Sequence, residues 1–253
     1  MTPGLLKRIT AACAISLVTA TLAHASVVIT GTRVVYPSSA REVTVKLNNN
    51  GAQPALVQSW IDDGDASFGA QQRPMPFTLT PPIFRIDPAR GQSLRVAYTG
   101  EALPADRESV YWLNVLEIPP KPQASENEES RNRLQLALRT RIKLFFRPAG
   151  LEGQANDAPA RLTWSLAPAA GDGQRIVLRA KNPTPYHVTV TQASVEVDGK
   201  TYESAAAMIA PRSEHEFVLD GLRELPRGQP RIRFETINDY GANVPAAFPP
   251  ENP

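Results

Sequence analysis

The stretch Leu134-Gln135-Leu136-Ala137-Leu138-Arg139-Thr140-Arg141-Ile142-Lys143-Leu144-Phe145-Phe146 decides the fold class. Alternate residues of an extended chain share a face, so Leu134, Leu136, Leu138, Ile142 and Leu144 fall on one side and Arg139, Arg141 and Lys143 on the other. This is a strand with an apolar row and a basic row, much longer than the usual ~5–6 residues. Its leucines have two possible destinations. They can face the core of their own sheet, or the first part of the strand can run along an exposed edge and lend them to another chain by strand addition. Pattern alone leaves both open.

Outward from this stretch the sequence repeats the same theme in shorter pieces. Strands are predicted at Val27 to Pro37, Glu42 to Leu47, Ala55 to Ile61, Phe84 to Ile86, Ser93 to Tyr98 and Ser109 to Ile118, each bounded by Gly, Pro, Asn or Asp. Together with the long strand they suit an immunoglobulin-like sandwich. A second set follows at Arg161 to Leu166, Arg175 to Ala180, His187 to Val197, Lys200 to Glu203, Glu214 to Leu219 and Arg231 to Thr236. No long amphipathic helix interrupts either set, so the protein is expected to be all-β with two sandwich domains, residues 26–148 and 149–253. The hinge falls at Arg147-Pro148-Ala149-Gly150-Leu151, where Pro and Gly end the alternation. The acidic piece 123–130 reads as a loop between neighbouring strands.

At the N-terminus, Lys7 and Arg8 precede an apolar run from Ile9 to Leu22, and Ala23-His24-Ala25 supplies small residues around a cleavage point. Residues 1–25 therefore read as a secretory signal peptide, too short to span a bilayer. Its removal leaves 228 of the 253 residues, with 25 basic against 25 acidic side chains. A neutral chain gives no electrostatic support to a nucleic-acid or membrane-surface partner. The one cysteine, Cys13, lies in the signal, so neither a disulfide nor a cysteine metal site is expected. Catalysis is not expected either. His187 and His215 are the only histidines beyond the signal, and no Gly-x-Ser-x-Gly, His-Glu-x-x-His or Gly-rich phosphate loop is present. No cofactor or metal is called for.

The run Leu103-Pro104-Ala105-Asp106-Arg107-Glu108-Ser109-Val110-Tyr111-Trp112-Leu113-Asn114-Val115-Leu116-Glu117-Ile118-Pro119 resembles the signature of the periplasmic pilus-assembly (fimbrial) chaperones, the PapD-like family. Gly31-Thr32-Arg33-Val34-Val35-Tyr36-Pro37, Arg141 to Pro148, Asn182-Pro183-Thr184-Pro185-Tyr186 and Ile237-Asn238-Asp239-Tyr240-Gly241 extend the likeness across nearly the whole secreted chain. The short, cysteine-free interval from Pro119 to Leu134 resembles the subgroup with a short loop before the donor strand.

The resemblance implies two immunoglobulin-like domains set as a boomerang around a cleft, in the periplasm. It implies a chaperone that binds, folds and caps pilus subunits by donor-strand complementation and delivers them to an outer-membrane usher. By the same likeness Leu134, Leu136 and Leu138 are donor residues, and Arg33 and Lys143 bind the C-terminal carboxylate of the subunit. Glu108, Arg147 and Asp239 correspond to an ionic network between the domains. The exposed edge also allows self-association. The competing expectation is a structural or adhesive component of the pilus with the same sandwich fold.

Overall fold

The computed structural model describes residues 26–64, 74–119, 136–169, 172–197, 199–226, 228 and 230–249. The signal segment, the acidic piece 123–130 and Leu134 lie outside the described residues. Among those described, nine strands build the first unit: β1 (Val27–Ile29), β2 (Arg33–Pro37), β3 (Val43–Asn49), β4 (Ala55–Asp62), β5 (Phe77–Thr80), β6 (Ile83–Ile86), β7 (Gly91–Tyr98), β8 (Ser109–Ile118) and β9 (Leu138–Arg147). They form two sheets, ordered β1-β3-β7-β5 and β2-β9-β8-β4-β6. The two-residue period fixes which side chains face inward. In β3 and β7, Val45, Leu47, Leu94 and Val96 are buried, while Thr44, Lys46 and Arg95 between them are exposed. Inward residues of both sheets, with Tyr36, Val57, Leu113, Ile142, Leu144 and Phe146, make one core.

A 3-10 turn at Ala155–Arg161 leads into the second unit. Its strands are β10 (Thr163–Ala169), β11 (Asp172–Asn182), β12 (Val188–Val197), β13 (Lys200–Glu203), β14 (Ala207–Ile209), β15 (Ser213–Val218), β16 (Arg231–Ile237) and β17 (Asn243–Phe248). One sheet runs β10-β11-β15 and the other β13-β12-β16-β17, with β14 also on β12. A separate core of Trp164, Leu178, Val190, Ile209, Phe217, Leu219, Ile232 and Phe234 lies between them. Two cores on one chain make the molecule a pair of immunoglobulin-like sandwiches.

Several boundaries differ from the sequence expectation for identifiable reasons. The strand expected from Val27 to Pro37 is two strands in different sheets. Gly31, at φ +100°, takes a backbone conformation that a side chain would oppose, and there the chain leaves β3 and crosses to β9. Strand β5 sits between Pro76 and Pro81, and β17 contains Pro245, so proline masked both. On β17 the proline is tolerated because that strand is the edge of its sheet. The long strand enters its ladder at Leu138, later than the alternation from Leu134 suggested. Among the described residues no helix is long and apolar enough to cross a membrane.

Candidate functional site

Strand β9 has unequal neighbours along its length. It pairs antiparallel with β8 throughout, from Ser109 opposite Phe146 to Glu117 opposite Leu138. On its other side it pairs with β2, in parallel, only from Lys143 to Arg147. Among the described residues the segment Leu138–Ile142 therefore has an open edge whose main-chain groups lack a strand partner. The apolar row divides at the same place. Ile142 and Leu144 are buried in the core of their own sandwich, whereas Leu138 is 46% and Leu136 71% exposed. Full burial of such a side chain is worth about 1.5–3 kcal/mol, of which Leu136 forgoes most and Leu138 about half.

Where the open edge ends, two cations stand side by side. Arg33 and Lys143 are directly paired in the β2–β9 ladder. The Lys143 ammonium donates to Thr189 Oγ1 of β12 (3.1 Å) and lies 5.6 Å from the Trp112 ring. Arg33 donates from Nη1 to the Ile237 carbonyl (2.9 Å) and its guanidinium lies over Phe145. Its Nε is buried with no acceptor among the described residues. Both contacts across the cleft go to neutral oxygens of the second unit, and among the described residues no carboxylate is in ion-pair range of either cation. Burial, followed by the charge of Arg33, lowers the Lys143 ammonium to about 8. Burial also lowers Arg33, against the pull of Asp239 and Glu108. Two desolvated donors beside each other can both donate to one anion, whose charge would offset the cost of keeping them protonated.

Just beyond, Arg147 bridges the two units. Its Nε donates to Glu108 Oε1 (2.7 Å), and Nη1 and Nη2 make a bidentate pair with Asp239 (2.7 and 2.9 Å). Glu108 is 4% exposed and its second oxygen accepts from the His187 backbone N–H at 2.8 Å. Burial pulls the Arg147 guanidinium down, but the hydrogen bonds and charges of Asp239 and Glu108 outweigh it and hold the group above its ordinary value. Glu108 and Arg147 belong to the first unit and Asp239 to the second, so the network ties the two sandwiches together. Beside it, Gly241 approaches Thr32 so closely that a Cβ would stand 2.6 Å from the hydroxyl oxygen. A side chain there would force the Thr32 hydroxyl to move and would strain the backbone of Gly241, which sits at φ +85°.

Of the residues singled out in the sequence, the structure brings Arg33 to Lys143, brings Glu108, Arg147 and Asp239 into one cluster, and exposes Leu136 and Leu138. Sequence reasoning missed Thr189, His187 and Phe145. The Phe145 ring looks like a core residue in the sequence, yet it faces the other unit, 5.6 Å from the His187 ring. The period-two rule held the signal, because it places Phe145 on the face of Lys143 and not of Leu144. Also missed were Trp60, Asp62 and Asn114, which lie under Arg139 and Arg141 on the outer face of the sheet.

Comparison with known proteins gives matches over both units. Residues 26–152 match the family model described as pili and flagellar-assembly chaperone, PapD N-terminal domain, and residues 157–248 match pili assembly chaperone PapD, C-terminal domain. The chain is 45% identical over 221 residues to the probable fimbrial chaperone YadV of Escherichia coli K12, covering 87% of this chain and 88% of that one. A crystal structure of YadV chaperone superposes with a TM-score of 0.74, covering 88% of this chain and 98% of the other, at 42% identity. The SafB chaperone of Salmonella enterica, solved in complex with SafA pilin, gives a TM-score of 0.69 at 29% identity, covering 88% and 95%.

Proposed function

Because this chain belongs to the PapD-like family of periplasmic pilus-assembly chaperones, it is a non-enzymatic chaperone of fimbrial subunits that works with an outer-membrane usher, and we propose that it holds each subunit on the edge of β9 with Arg33 and Lys143 gripping the subunit's C-terminal carboxylate. One observation carries this reading: an open strand edge with exposed leucines stops at two neighbouring cations that, among the described residues, have no carboxylate of their own. The directions follow. A guest whose last residue lies at Arg33 and Lys143, and whose preceding residues run back toward Leu138, is parallel to β9, as β2 already is. Its main chain continues the β2 ladder, while Leu136, Leu138 and, outside the described residues, Leu134 fill its unfinished core. The carboxylate fixes the register, since a slip of one residue would turn every leucine away from its pocket. The Glu108–Arg147–Asp239 network sets the angle at which the second domain closes the cleft, and the domains meet at residues 148 and 149. Export uses residues 1–25 as a signal peptide removed after Ala25.

Expression with a cognate pilus operon tests the proposal. A soluble one-to-one complex with a subunit, absent from the finished fibre, is expected. Incorporation of the protein into the fibre would instead make it a pilus component.

Capture is also expected to depend on pH with a definite sign. In the free protein the Lys143 ammonium titrates near 8. A bound carboxylate favours its charged form, so binding above that pH requires proton uptake. Affinity should be flat below pH 8 and fall above it, by up to tenfold per pH unit. Calorimetry in two buffers of different ionisation enthalpy at pH 8.5 checks this, and equal heats would argue against Lys143 as the anchor.

Asp239→Asn keeps hydrogen-bonding oxygen but removes the charge opposite Arg147. It should lower stability by about 1.5–3 kcal/mol, typical of a hydrogen bond to a charged group. Solution scattering should also show a wider spread of domain orientations.

A further inference from the structure

The open half of β9 poses a mechanical problem that its own core does not solve. From Leu138 to Ile142 the strand has a partner on one side only, among the described residues, and toward its start the inner face runs out of core, with Leu138 exposed. Such a segment should fray, and a frayed strand must be ordered again each time a guest is added. Its outer face carries a compensating structure. Arg139 donates from Nε and Nη2 to Asn114 Oδ1 (2.9 and 2.7 Å) and from Nη2 to Asp62 Oδ2 (3.2 Å). Arg141 donates to Asp62 Oδ1 (2.5 Å). Asn114, fully buried in mid-sheet on β8, donates in turn to Asp62 Oδ2 at 2.8 Å. The two guanidiniums also stack, Arg139 over Trp60 at 5.0 Å and Arg141 over Trp112 at 4.4 Å. One carboxylate on β4 thus reaches across β8 to two alternate residues of β9.

We propose that Asp62 is a positioning residue for strand addition: by clamping Arg139 and Arg141 to the outer face it keeps Leu138–Ile142 flat and in register, with the opposite face turned toward the guest. The idea rests on the reading of the β9 edge as the capturing element and adds to it the device that holds the edge ready. Pinning two alternate side chains allows neither a rotation of the strand nor a slip of one residue. The geometry uses charge-assisted bonds, with two Arg139 donors converging on Asn114 Oδ1 and each Asp62 oxygen taking one guanidinium, and their directionality sets orientation. Arg139 and Arg141 are only about one-fifth exposed, so solvent competes weakly for them.

The test uses Asp62→Asn in the full secreted chain, with a thermal melt to verify folding. Amide hydrogen exchange of the free protein is expected to quicken at least tenfold in Leu138–Ile142 and to stay unchanged in Leu144–Arg147, which β2 and the core hold. The capture probe is the subunit that co-purifies with the unaltered protein, unfolded in urea and diluted into chaperone. Its capture rate should fall about tenfold, with Asp62→Glu restoring part of the loss. Unchanged exchange overturns the proposal, and so does faster exchange with undiminished capture. Should Asp62→Asn fail to fold, Arg139→Gln, which removes one arm of the clamp, is measured in the same way with the same expectations. A Leu138→Glu control separates failure of the clamp from failure of the edge. If it too captures normally, the β9 edge is not the capturing element. If it fails to capture while the Asp62 variant succeeds, only the clamp is wrong.

Discussion

Lys143→Ala should give a folded protein that binds its subunit roughly 2–5 kcal/mol more weakly, a loss of about 30-fold to several thousand-fold in affinity. The size follows from the site. The ammonium is substantially desolvated, it shares its position in the ladder with Arg33, and its direct hydrogen-bond partner is the Thr189 hydroxyl. Removing it leaves a guest carboxylate in the cleft with half its donors. The free protein should not suffer in parallel. A Lys whose folded-state value is lowered from 10.5 to about 8 destabilises the fold wherever it is charged, fully so below pH 8. Its removal should therefore leave the melting temperature at pH 7 unchanged or raise it, and the difference should fade as pH climbs from 8 toward 10.5. Titration calorimetry with the co-purified subunit and melts across that range measure both. Undiminished affinity would rule out the carboxylate anchor.

The second large effect is a contrast between two leucines of the same apolar row. Leu144 is fully buried, so Leu144→Glu would place an unpaired carboxylate in the first core. The loss of packing and the desolvation together exceed about 4 kcal/mol, enough to unfold many domains of this size. Leu136, 71% exposed, has no core to lose. Leu136→Glu should melt within a few degrees of the unaltered protein and yet capture subunit poorly, because the guest's groove would have to accept a charge. Urea unfolding of both variants beside a capture assay shows the split. Equal destabilisation would mean that the whole row is internal.

Much of this is legible in the amino-acid sequence itself. Period-two alternation marks the strands, and the family likeness places Arg33 beside Lys143 and gathers Glu108, Arg147 and Asp239. What escapes is whatever depends on which sheet a strand joins. The exchange of partners at Gly31 cannot be read from alternation, because Val27 to Ile29 and Arg33 to Pro37 alternate equally well in either sheet. Nor does alternation say where a neighbour stops, so the open edge at Leu138–Ile142 follows only from the fact that β2 covers no more than Lys143 to Arg147. Asp62 and Asn114 escape for a related reason. They lie on two different strands and become one cluster only once β4, β8 and β9 are adjacent.

The brevity of β2 has a further consequence. Because that strand fills the rest of the seam, the vacancy alongside β9 within its ladder is, among the described residues, about five residues, or roughly 17 Å, long. An incoming polypeptide can zip forward only until its terminus abuts β2, and there it meets a dead end. If subunits are captured on this edge as proposed, a ruler of this kind would admit the tail of one molecule and reject a mid-chain loop, which has no terminus to present. It would also deny sticky, half-made proteins the long continuous template on which exposed edges let them grow into fibrils.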